Sequence, residues 1–94
     1  MNSPKVNDVV SVVTTIGEFI GKYKSEDAHN ISLTDPRMVV HSKEGMGFAR
    51  GLSMTSGDEA TECSFYKTNV VFIAQVHPEV VSSYREFTTG LIIK

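Results

Sequence analysis

The sequence predicts an α+β domain: an N-terminal amphipathic helix packed on an antiparallel sheet of about four to five strands, with a short second helix near the C-terminus. Three observations carry that expectation. Apolar residues recur at helical spacing through residues 4–24. Short β-branched and aromatic runs follow, with turn signals between them. Val80, Val81, Tyr84 and Phe87 then return to helical spacing. The chain has 94 residues, 40% hydrophobic and 21% charged. That is the composition of a globular chain rather than a disordered or membrane-spanning one, and its length suits one domain over residues 1–94.

Residues 4–24 read as the first helix. Ser3 can cap it and Pro4 suits its first turn. Val6, Val9, Val10, Val13, Ile16, Ile20 and Tyr23 fall on one face, and Glu18 and Lys22 form an i,i+4 pair on the other. Valine favours strands intrinsically, but the recurrence of Asp8, Ser11, Thr15, Glu18 and Lys22 at helical intervals argues for helix. The apolar arc covers roughly half the circumference, wider than the ~100° stripe of an ordinary surface helix. Gly17 and Gly21 flank it, at a cost of about 1 kcal/mol each against alanine. Such a face suits two contacts, the chain's own sheet and a second subunit, with Val10, Gly17 and Gly21 at the interface.

Residues 25–30 form a polar loop. Ile31-Ser32-Leu33 opens a strand, Asp35-Pro36 signals a turn, and Met38 to His41 continues as strand. Lys43-Glu44-Gly45 is a turn, followed by alternation from Phe48 to Thr55, with Ser56 to Glu59 as a hairpin-type connection. Cys63 to His77 is the strongest strand region. It reads either as one strand with a bulge near Thr68-Asn69 or as two strands turned there. Val70 to Ile73 is apolar on both faces, the pattern of a central strand covered on both sides. His77-Pro78-Glu79 starts the second helix, which ends near Thr88–Gly90, and Leu91-Ile92-Ile93 forms a final strand. Residues 80–94 also tolerate strand throughout. Short connections imply an antiparallel meander.

Nine Lys and Arg against eleven Asp and Glu give a net charge of −2. Nucleic-acid binding usually needs a basic excess, so an acidic balance speaks against it, including single-strand binding through Phe65, Tyr66 and Lys67. The longest apolar run, Val70 to Ala74, is far below the ~18 residues of a membrane span. One cysteine, Cys63, forms no intrachain disulfide. The expected setting is cytoplasmic, with no membrane partner.

Chemistry-bearing patterns are few. Lys43, Gly45, Gly47, Arg50 and Gly51 make a glycine-rich turn with two cations, able to cradle a small anionic ligand such as a phosphate. It matches neither a P-loop nor a dinucleotide fingerprint, and a hairpin turn explains the same glycines. Cys63 with His41 or His77 would make a thiol–imidazole pair, but Glu62 beside it opposes thiolate formation. His29, His41 and His77 lack metal spacing, and Asp58, Glu59 and Glu62 lack a calcium-loop pattern. No catalytic residue, metal site or cofactor is assigned. Phe65 and Tyr66, as neighbours, face opposite sides of a strand, so Tyr66, Phe65 or both meet a second surface.

The expected function is a non-catalytic binding or interaction domain acting as a homo-oligomer, with a protein partner or small ligand at a subunit interface. Its expected partner is first of all itself, as a dimer or larger. The interface residues are Val10, Gly17, Gly21 and Phe65, and the ligand-binding residues are Lys43, Gly45, Gly47, Arg50 and Tyr66. The alternative is a small enzyme or nucleotide- or phosphate-ligand module built on the turn at residues 43–51.

Overall fold

The valine-rich segment that apolar spacing would coil is extended. In the computed structural model, which describes residues 3–49, 52 and 61–89, residues 4–24 form no helix. They contain strand β1 (Val9–Thr14), a tight turn at Thr15-Ile16, and most of β2 (Gly17–Glu26). The chain continues through β3 (Asn30–Ser42), β4 (Gly45–Phe48), β5 (Glu62–Tyr66), a single 3₁₀ turn (Lys67–Asn69), β6 (Val70–Gln75) and helix α1 (Pro78–Thr89). The described residues thus hold six strands rather than four or five, and one helix, at the C-terminal end. The segment at Leu91-Ile92-Ile93 lies outside the described residues, as do Arg50, Gly51 and residues 53–60.

The helical reading fails for a physical reason. Val9 packs with Ile20 and Tyr84 on one face, while Val10 and Val12 pack with Ile31 and Leu33 on the other. A strand buried on both faces loses its period-two alternation, and the apolar run that remains fits a helix template equally well. Local preference then decides: β-branched valines are stiff at χ1 and favour strand. The supposed helical pair Glu18 and Lys22 has other partners. Glu18 accepts a hydrogen bond from Ser11 Oγ at 2.6 Å across the β1–β2 pair, and Lys22 pairs with Asp35 at 3.3 Å.

The sheet is antiparallel, in the order β4-β3-β2-β1-β6, with β5 on β3. β3 is longer than its sequence suggests, because Asp35-Pro36 does not end it. The register moves from Ile20↔Arg37 to Lys22↔Thr34, so the proline falls in a bulge with Asp35 at φ 49°. Bulges tolerate a missing N–H where a regular ladder does not.

Three residues of 3₁₀ turn join β5, which pairs with β3, to β6, which pairs with β1. β2 lies between β1 and β3, so a link this short requires the sheet to roll until its two sides approach. Phe19 on β2 and Phe65 on β5 accordingly meet with ring centroids 5.0 Å apart. Inside the roll, Val10, Val12, Ile31 and Leu33 are buried against Tyr23, Phe65, Val70 and Ile73. On the outer face α1 covers Val9 and Ile20 with Tyr84, Val80 and Val81.

The apolar run at Val70 to Ile73 also needs correcting. It is not a central strand covered on both sides. β6 ends the strand order, and Val71 and Phe72 are 63% and 53% exposed.

Candidate functional site

The glycine-rich turn is the tip of the β3–β4 hairpin. Ser42 pairs with Gly45, Val40 with Gly47, and Lys43 and Glu44 form the exposed two-residue loop. Gly45 sits at φ 108°, a conformation that L side chains rarely adopt, so the turn itself accounts for that glycine. Arg50 lies outside the described residues. Tyr66, grouped with this turn by sequence, pairs with Asn30 at the opposite end of the thirteen-residue β3. The structure therefore separates Tyr66 from Lys43, Gly45 and Gly47.

Tyr66 and Phe65 instead share a cleft of about 380 Å³ at the β1–β2 turn, β5 and the 3₁₀ turn. Phe65 is half-buried on Phe19, and Tyr66 is 67% exposed. One neighbour faces inward and the other outward, as strand alternation requires. Ile16, 80% exposed, and Leu52 complete the apolar lining. Two of its polar side chains have partners: Thr14 Oγ1 donates to the Gly17 carbonyl at 2.9 Å, and Ser64 Oγ lies 2.9 Å from Ser32 Oγ, while Thr15, Tyr66 and Asn69 also line it. Cys63 lines the cleft, and burial pushes its thiol above the usual range, which disfavours the nucleophilic thiolate. No histidine is among the lining residues. His29 is in the β2–β3 loop, His41 near the end of β3, and His77 precedes α1, where its Nδ1 accepts the Glu79 N–H at 3.4 Å. Among the described residues no three His, Cys, Asp or Glu side chains gather as a metal site.

The interface residues expected from a helical face fall elsewhere. Val10 is in the core inside the roll. Gly17 ends the β1–β2 turn. Gly21 sits under Leu33, where a Cβ would come within 3.1 Å of the Leu33 Cβ and 3.2 Å of the Thr34 carbonyl.

The surface that sequence reasoning missed is the outer edge of β6. Among the described residues β6 pairs only with β1. Val70 to Gln75 contains no charged residue, proline or glycine. Edge strands are normally protected by lysine, proline, inward charges or bulges. β6 has only the bulge beside Thr14, where the register passes from Val13↔Phe72 to Thr14↔Val70 and leaves Val71 unpaired. Phe72, Val13, Met46 and Val80, together with Glu18 and His77, line a groove of about 270 Å³ that runs from β6 across the helix side of the sheet to β4. The apolar run was visible in the sequence, but its place at the rim depends on which strand pairs with β1, and no local pattern encodes that.

The chain matches no known protein-family model and no curated protein sequence. Among the described residues no helix is long and apolar enough to cross a membrane.

Proposed function

We propose that this chain is a non-catalytic binding domain that works as a homo-oligomer and holds a protein partner or a small ligand at a subunit interface. One observation carries the reading. The edge of β6 offers an uncharged strand, with Val71 and Phe72 exposed beside a groove of mixed polarity. An edge of that kind is a template for strand addition, in which main-chain hydrogen bonds supply affinity and side-chain pockets supply specificity. The cleft at Tyr66 and Phe65 is a second, mainly apolar concavity, lined also by Ile16, Phe19 and Leu52, which suits binding. A single cysteine and no second thiol to pair with it favour a cytoplasmic setting.

The test is native mass spectrometry of the purified chain at micromolar concentration. A dimer or larger species supports the reading, and mass beyond the protein identifies a bound ligand. A bare monomer at that concentration overturns it.

A further inference from the structure

Resting on the reading that the chain holds a protein partner, we propose that the groove beside α1 seats one basic side chain of that partner, with Glu18 as its counter-ion and Val13 and Phe72 as the bed for its aliphatic stem. A census of carboxylates selects this occupant. Four stand on the described strands: Glu18, Glu26, Asp35 and Glu62. Three of them hold a lysine: Lys67 on Glu26 at 2.7 Å, Lys22 on Asp35 at 3.3 Å and Lys24 on Glu62 at 2.8 Å. Among the described residues Glu18 has no cation within ion-pair distance, and its partner is the Ser11 hydroxyl at 2.6 Å. Ser11 is 8% exposed on β1, so this short bond fixes the carboxylate on the sheet without neutralising it.

The strand register supplies the bed. Val13 pairs with Glu18 on one side and with Phe72 on the other. Directly opposite residues in an antiparallel pair share a face, so the three make one row across β2, β1 and β6 on the helix side. Neighbouring strands lie roughly 4.8 Å apart, which puts Phe72 about 10 Å from Glu18 with Val13 between them. A lysine or arginine laid along that row rests its methylenes on Val13 and Phe72 while its head reaches the carboxylate. Phe72 is 53% exposed, so its ring is open to a cation. Ser11, Gln75 and His77 are the other polar residues of the groove, and none of them carries negative charge. An acidic side chain would meet like charge at Glu18. A neutral one would cover the carboxylate without pairing it, at a desolvation cost. The net charge of −2 likewise draws a basic partner.

The experiment is a titration followed by backbone-amide and methyl NMR in low salt. Two capped tripeptides are the probes, glycine-lysine-glycine and its norleucine counterpart, which keeps the apolar stem and lacks the ammonium. The lysine peptide is expected to shift the amides of Val13, Glu18 and Phe72 and the Met46 methyl at millimolar concentration. It should bind about fivefold more tightly than the norleucine peptide, the upper end for a partly exposed ion pair. Glu18→Gln keeps an acceptor for Ser11 and loses the charge, so this preference should vanish while far-UV circular dichroism is unchanged. If that variant unfolds, the wild-type comparison decides alone. The seat is overturned if the two peptides bind the wild type alike, if neither shifts these residues, or if a folded Glu18→Gln retains the preference. Native mass spectrometry of the same protein separates the two readings: an oligomer without the lysine preference overturns the seat alone, and a bare monomer with it overturns the oligomer alone.

Discussion

Tyr84 secures α1 to the sheet with one hydroxyl. Its ring is fully buried against Val9 and Ile20, with Phe48 edge-on at 6.1 Å. Its Oη donates to the Asp35 carbonyl at 2.5 Å and lies 3.4 Å from the Thr34 carbonyl. Burial holds the phenol well above its usual range, and the Asp35 carboxylate pushes the same way. The Asp35 carbonyl at the bulge thus has the tyrosine hydroxyl as its donor. Tyr84→Phe keeps the ring and removes the donor. It is expected to cost about 1–3 kcal/mol, the range for leaving a buried acceptor unsatisfied, read as a lower urea midpoint with unchanged helix content. Helical spacing in the sequence places Tyr84 on a buried face, but its partner is 49 positions away and invisible to any local pattern. The inward and outward directions of Phe65 and Tyr66 are legible, because strand alternation alone requires them.

At the scale of elements, the turns and α1 were more legible than the first strands. Lys43-Glu44-Gly45 is a turn in both sequence and structure, the break near Thr68-Asn69 is a 3₁₀ turn, and residues 78–89 are helical. These features rest on residues with strong local preferences: glycine at positive φ, and proline at a helix start. β1 and β2 were misread because their apolar pattern reflects two coverings at once. The elements are also tied electrostatically. Glu26 at the end of β2 lies 2.7 Å from Lys67 of the 3₁₀ turn and accepts from Tyr23 Oη at 3.0 Å. The Lys67 contact, and then the Tyr23 hydroxyl, hold its carboxyl below the usual range. Asp27 is lowered in turn by the backbone N–H groups of His29 and Asn30. Groups with lowered folded values stabilise the fold fully above the ordinary carboxylate range, and that contribution is lost as pH falls through the folded value. The melting temperature should therefore fall between neutral pH and about pH 3. Glu26→Gln should have a lower melting temperature at neutral pH and a shallower decline, as measured by thermal scans across that window.

At the scale of the molecule, the sheet rolls into one core while α1 encloses another, and two apolar features are left at the surface. A chain of this length buries only somewhat more than ~60% of its unfolded surface and has a thin stability margin. Association that involves the folded chain alone adds to that margin by mass action. Under the proposed homo-oligomer reading, the thermal midpoint of the wild type should rise with protein concentration, checked over a hundredfold dilution series. The apolar excess that the sequence assigned to a helix face meeting a second subunit is taken up largely by two cores, with Val9, Val10 and Ile20 buried in them. The position of the exposed β6 surface was not legible, because it depends on the pairing of β6 with β1 rather than on either segment alone.

The closing of the roll also has a consequence in time. Val10 pairs with Gln75, so one flank of β1 has no partner until the chain has been made at least that far. At ~5–20 residues per second, the 65 positions between them take roughly 3–13 s to synthesise. For the part of that interval after β2 has been made, the nascent chain carries a valine-rich strand that can join β2 on one side and is open to any passing strand on the other. Misassembly on the ribosome is thus most dangerous early, and slowing translation before residue 75 should lower the soluble yield more than slowing it afterwards.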